Sequence, residues 1–286
     1  MEHEFKTVGV VGLGLIGGST AKAIRKNIDC NILAFDISNE AMQTAKETGT
    51  INGTLNAGTI GTCDLILIAI TPEKIIDWVR NNAQYIRSDA ILVDLCGVKR
   101  IVMDKLIPIA TEYGFKYVGG HPMAGKEVAG FANSTPDLFK NASMILAPLP
   151  DTQSDDVERL KTFFSQMGFG TVVISDMDEH DRIIAYTSQL AHITSSAYIK
   201  SPTSRSYMGF SAGSYKDMTR VARLDPKMWT ELCMDNADNL ESELDTLIGN
   251  LNEYLDALHE RDEKKLHTLF EDGLRIKLGE KDEDVQ

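Results

Sequence analysis

The chain has 286 residues, 43% of them hydrophobic, which is enough for one large domain or two ordinary ones with buried cores. Its 42 acidic residues against 29 basic ones leave a formal charge of −13, which argues against nucleic acid or an anionic membrane as partner, since both favour basic patches. No apolar run approaches the roughly twenty residues a membrane helix needs, the N-terminus is acidic rather than a basic leader, and Cys30, Cys63, Cys96 and Cys233 have no C-x-x-C spacing, so the expectation is a cytoplasmic globular protein with reduced thiols and no metal site.

From Thr7 to about Ser175, short apolar runs ("TVGVV", "NILAFD", "DLILIAI", "AILVDL", "YVGGHP", "SMILAP", "TVVIS") alternate with amphipathic stretches. That rhythm predicts an α/β fold, a Rossmann-type doubly wound parallel sheet over residues 1–175. Residues 176–286 carry helical periodicity instead. Leu240, Leu244, Leu247, Leu251, Leu255 and Leu258 advance by threes and fours, which predicts one long amphipathic helix, and a shorter one follows with Leu266, Leu269, Phe270 and Leu274 on one side. A stripe that long in a small all-α domain needs cover, from a partner subunit or from within the chain. The final "GEKDEDVQ" reads as a solvated tail.

The first strand runs straight into Gly12-x-Gly14-x-x-Gly17, and "LIGGSTAKAIRK" then opens as a helix. The three glycines give a tight turn, close approach of a pyrophosphate to the backbone, and close packing of helix on strand. Leu15 and Ile16 then begin the helix, whose free amides and dipole form an anion site. Asp36 ends the second strand 19 residues beyond Gly17. A carboxylate there accepts from ribose hydroxyls and repels a 2′-phosphate, so the cofactor expected is NAD rather than NADP. The competing reading of Asp36 is an ordinary turn or cap residue.

A nucleotide fold does not name a reaction, so the chemistry is sought elsewhere. His121 follows "FKYVGG" and so lies at the carboxyl end of a strand, where ligands of open sheets bind. The glycines around it leave room for substrate, and an imidazole there takes or shares the proton of an alcohol as a hydride leaves. A structural histidine is the competing reading. Ser188 and His192 stand four apart and share a face if helical. Lys216, Arg220 and Arg223 stand together in an acidic chain; the Arg220 guanidinium is either a bidentate carboxylate fork or the partner of Asp217 in a surface ion pair.

"GLGLIGGS", "VDLCGVK", "VGGHPMAGKE", "SQLAH", "KDMTRVA" and "PKMW" occur in this order, and together they resemble the prephenate/arogenate dehydrogenase family of tyrosine biosynthesis. The resemblance implies oxidative decarboxylation of a cyclohexadienol, prephenate in the first place and arogenate as the alternative, with hydride transfer to NAD+. It implies that His121 is catalytic, that Arg220 binds substrate carboxylate, that His192 lies in the substrate pocket with Ser188 nearby, and that the helical domain forms a homodimer. Many members have serine where Gly97 stands and serine or threonine where Lys126 stands. Lys126 is therefore read as a further carboxylate contact, against pairing with Glu127. No regulatory domain is expected after the helices, so tyrosine feedback would act at the active site. A non-catalytic NAD-binding sensor is the alternative of another class, predicting cofactor binding without turnover.

Overall fold

The computed structural model describes residues 5–126 and 128–279; residues 1–4 of the acidic N-terminus, Glu127 and the tail from 280 onward lie outside the described residues. The chain divides into two compact units, one ending at Asn236 and the other beginning at Ala237.

In the first unit, β1 (Thr7–Val11), α1 (Leu15–Asn27), β2 (Asn31–Phe35), α2 (Asn39–Glu47), β3 (Gly53–Thr54), β4 (Leu65–Ile68), α3 (Pro72–Asn82), β5 (Ile91–Asp94), α4 (Arg100–Tyr113) and β6 (Lys116–Pro122) alternate as expected. After them come β7 (Ser143–Pro148), α5 (Ser154–Gln166) and β8 (Thr171–Ile174). The eight strands form one sheet in the order β3-β2-β1-β4-β5-β6-β7-β8. Leu65, Ile66, Leu67 and Ile68 are all fully buried, the mark of a central parallel strand covered on both faces. Alternate residues feed two cores: Leu65, Leu67, Ile91 and Val93 on one face with Phe5, Phe163 and Phe164, and Ile66, Ile68 and Leu92 on the other with Ile75, Val79 and Leu106. That is a doubly wound sheet, and its order reverses between β1 and β4, where a crevice opens beyond the strand ends.

One departure concerns strand direction. The sheet is parallel except that β6 and β7 pair antiparallel, with His121 opposite Ile145. The described part of their connection holds one 3-10 turn, Phe131–Asn133, and no crossover helix, and a parallel return needs a crossover that recrosses the sheet. The loop instead folds over α1, where Lys22 Nζ donates to Ser134 O at 2.9 Å and Thr135 N donates to Ser19 Oγ at 3.0 Å.

Beyond β8 the first unit is helical: α6 (Met177–Ile184), a π-helical stretch (Ala185–Leu190), α7 (Ala191–Tyr198), α8 (Gly213–Thr219), a 3-10 turn (Arg220–Ala222) and α9 (Pro226–Met234). The second unit holds α10 (Ala237–Glu260), which carries the leucine stripe, and α11 (Glu263–Leu278). Tyr254 donates to Leu269 O at 3.0 Å and its ring packs at a tilt against Phe270, joining the two helices. Leu251, Leu255, Leu258, Leu274 and Ile276 remain exposed. Among the described residues, no helix is long and apolar enough to cross a membrane, and no group of three or more His, Cys, Asp or Glu is placed to hold a metal. The thiols are free; burial pushes Cys30 and Cys96 up to about 11 and Cys63 to about 12, far from thiolate chemistry at neutral pH.

Candidate active site

At the switch point each glycine of the first turn has its own steric reason. Gly12 has φ +88°, and a methyl on it would sit 2.6 Å from Ala69 O; one on Gly17 would sit 1.8 Å from Gly12 O. Gly14 faces open space with nothing within 4 Å, the room a pyrophosphate needs in front of the Leu15 and Ile16 amides of α1. Asp36, half-buried at the end of β2, accepts from Leu13 N at 2.5 Å and Ser38 N at 2.7 Å. It is therefore a turn residue, yet a carboxylate has about four acceptor sites, and those remaining suit ribose hydroxyls. The residues present fit NAD. Changing Gly17 to Ala forces its methyl into backbone, so the expected result is lost NAD+ binding in titration, with stability lowered by ~1–3 kcal/mol.

His121 is half-buried near the end of β6. The two glycines before it do not leave room for a ligand, contrary to the sequence expectation. A methyl on Gly120 would lie 2.6 Å from Asp94 O, and one on Gly119 2.8 Å from Met103 Sδ, so both serve close strand packing. The less crowded glycine is Gly97. A methyl there would be 3.5 Å from Leu232 and 3.9 Å from His121 Nε2, ordinary contacts, so Gly97 lies next to Nε2 without crowding it.

The other nitrogen of His121 is engaged. Its Nδ1 lies 2.9 Å from His180 Nε2, and His180 Nδ1 lies 2.7 Å from Asp181 Oδ1. Asp181 is fully buried and accepts from Lys99 N (2.7 Å) and Arg100 N (2.9 Å) at the start of α4. Burial alone would raise its carboxyl; the bonds from His180 and from the Arg100 and Lys99 amides outweigh that and hold it low. An ionised Asp181 has no proton to give, so His180 Nδ1–H donates to it. His180 Nε2 must then accept from His121 Nδ1–H, and His121 Nε2 is left with a lone pair on the side of Gly97. Burial, then His180, then the Lys99 ammonium hold His121 well below the usual imidazole range, so it is a neutral acceptor at neutral pH. Beneath the pair, the Lys99 ammonium binds the Asp94 carboxylate, both side chains almost fully buried, and Asp94 also accepts from Tyr117 OH at 2.8 Å and Cys96 N at 3.0 Å.

The helical side completes a wall. His192 Nδ1–H donates to Ser188 O at 2.8 Å, and its ring stacks on Trp229 at 3.7 Å between centroids. Trp229 and Leu232, three apart, share a face of α9. Since Leu232 also reaches Gly97, α9 links the His192 ring to the neighbourhood of His121. Gln189 is buried and structural: its Nε2 donates to Leu232 O and its Oε1 accepts from Asn236 Nδ2, each at 2.8 Å. Asn236 also donates to Asp181 O at 2.8 Å, and its Oδ1 accepts from Arg100 Nη2 at 3.0 Å. Arg220 is exposed at the 3-10 turn that packs against α7, the helix of His192. Lys126 is exposed in the loop after β6 and lines a cavity of about 590 Å³ with Met123, Thr135, Asp137, Lys140 and Asn141. No residue of the His121 wall lines that cavity.

His180, Asp181 and Lys99 are functional candidates that reading the sequence missed. Lys99 stood within a quoted motif, but His180 lies in "DEHDR" on an ordinary amphipathic helix, 59 residues from His121, and nothing local links the two.

Comparison with known proteins gives two family matches. One, described as the nucleotide-binding domain of prephenate dehydrogenase, covers residues 20–174; the other, described as its dimerization domain, covers residues 176–272. The chain is 29% identical to a prephenate dehydrogenase of Bacillus subtilis over 95% of this chain and 76% of that one. It is 27% identical to a cyclohexadienyl dehydrogenase of Zymomonas mobilis over 99% of both. Among solved structures, a prephenate dehydrogenase from A. aeolicus in complex with hydroxyphenyl propionate and NAD+ superposes with a TM-score of 0.84 at 25% identity, covering 99% of this chain and 100% of that one.

Proposed function

Because the chain belongs to the prephenate dehydrogenase family, we propose that it oxidatively decarboxylates prephenate to 4-hydroxyphenylpyruvate in tyrosine biosynthesis, with NAD+ as hydride acceptor. The observation that carries this reading is the neutral His121, its Nδ1 held by His180 and its Nε2 turned toward Gly97, on the same sheet whose β1 end builds the nucleotide cradle. β6 stands three strands from β1, about 14 Å at the usual spacing, so a dinucleotide anchored at β1 reaches across the strand ends toward His121.

Bound NAD+ supplies the hydride acceptor. His121 Nε2 takes the carbinol proton as hydride leaves the carbon. The ring C–CO2 bond then breaks, and its electron pair aromatises the ring and returns to the oxygen, which takes the proton back. No net proton is released, and aromatisation supplies the drive, so the protein's work is orientation and transient charge stabilisation.

Arg220 is proposed as the carboxylate fork, with Ser188 and His192 on the same side and Lys126, five residues beyond His121, as a further cation. Replacing Arg220 by Gln should raise KM by roughly tenfold or more while kcat changes little, as expected for a group that binds substrate and transition state alike. An unchanged KM would remove Arg220 from the site. We further propose that the helical region, with its exposed leucine face, pairs with a second copy, and that the functional division of the chain falls near residue 175.

The deciding experiment is NADH formation with prephenate and arogenate side by side. Turnover of prephenate supports the reading, preference for arogenate shifts it to the alternative substrate, and NAD+ binding without turnover of either supports a sensor.

A further inference from the structure

Resting on the proposed reaction, we infer that His180 and Asp181 are positioning residues for it: through the Asp181–His180–His121 hydrogen-bond chain they fix which nitrogen of His121 carries the proton, aim its Nε2 at the substrate hydroxyl, and stabilise the charge it acquires. Three observations converge on this. The two bonds, 2.7 and 2.9 Å, are both short and in series. The His180 and Asp181 side chains are fully buried, so water does not compete for either bond. Asp181 is clamped by the Lys99 and Arg100 amides, which sets the far end of the chain on the rigid start of α4.

The geometry leaves one consistent proton arrangement. With Asp181 ionised, both histidines carry hydrogen on Nδ1, and only His121 Nε2 is open. When the substrate O–H bond breaks and the Nε2–H bond forms, His121 becomes an imidazolium whose Nδ1–H points at His180, with a carboxylate one ring further on. The proton then returns from Nε2 to the phenolic oxygen, so the chain holds charge without releasing it. A side chain at position 97 would stand next to Nε2; here the restraint comes through Nδ1, on the other side of the ring.

The charged and titratable groups packed around the pair are Lys99 and Arg100 of the α4 start, Asp94 of β5, Cys96 in the turn after it, Tyr117 of β6, and Asp181 itself. Lys99 is matched by Asp94 and Arg100 by Asp181, so Asp181 is the carboxylate directly in line with the two rings.

Replacing His180 by Phe removes the acceptor for His121 Nδ1–H. The expected result is a kcat lower by roughly 30- to 300-fold with KM within about threefold, and an altered acid limb of the pH profile. His180→Gln supplies an amide oxygen as acceptor and leaves Asp181 on the α4 amides, and should recover about tenfold of that loss. Asp181→Asn is the weaker test, since it also disturbs the α4 clamp. Nitrogen-15 shifts of labelled histidines in the full-length protein, without substrate, should place the His121 proton on Nδ1 and show a mixture in His180→Phe. Wild-type kcat and pH profile in His180→Phe, or the His121 proton on Nε2 in the wild type, would overturn the inference. If the wild type turns over neither substrate, the functional reading fails, while the nitrogen shifts still decide whether His180 fixes His121.

Discussion

Replacing His121 by Asn is expected to lower kcat by roughly a hundredfold or more while NAD+ still binds and KM moves little. The amide keeps a polar group of similar reach but is no base. It can no longer hold the carbinol proton in the transition state, and that loss appears in kcat because the bond exists only there. The pH profile gives a second readout. His121 must be neutral to act, and burial, His180 and Lys99 hold it well below the usual imidazole range. The wild-type rate should therefore persist as pH falls through the usual imidazole range and fail only below it, and His121→Asn should lose that limb. If the variant keeps full kcat, His121 is a structural histidine after all.

The second large effect concerns stability. Lys99→Met should destabilise the protein by ~3–5 kcal/mol, lowering Tm on the order of 10 °C, because it strands the fully buried Asp94 carboxylate with only Tyr117 OH and Cys96 N–H as partners. Adding Asp94→Asn to Lys99→Met removes the orphaned charge and should recover a good part of the loss. Thermal unfolding of the two singles and the double tests this, and additive losses would show that the pair is not coupled. The ammonium is also one of the causes that lower His121. Removing it should move the acid limb of the rate upward in whatever fraction folds, which separates its electrostatic influence on the site from its part in stability.

The sheet was legible in the sequence because its central parallel strands are buried on both faces and so read as nearly uninterrupted apolar runs, "LILI" and "ILVD" being the clearest. The cofactor turn was legible for a similar reason: Gly12, Gly14 and Gly17 answer local demands, two steric and one of open space, all within one turn. The direction of β7 was not legible. Direction depends on the path of the connection, and the ties from that loop to α1 through Lys22 and Ser19 span more than a hundred positions. The glycines before His121 were noticed but misread, since the atoms that crowd Gly119 and Gly120 belong to β5, α4 and β7.

The sequence by itself determined the fold class and the nucleotide turn and singled out His121 as the candidate base, because each rests on periodicity or on a motif whose parts lie within a few residues of one another. Only the tertiary structure decided which groups surround His121. Its Nδ1 meets His180, that ring meets Asp181, and Asp181 meets the amides that open α4, a chain joining positions 59 and 82 residues apart. Hydrogen bonds of this kind depend on distances of a few ångströms in space, and spacing along the chain carries no trace of them until β6, α4 and α6 have packed together.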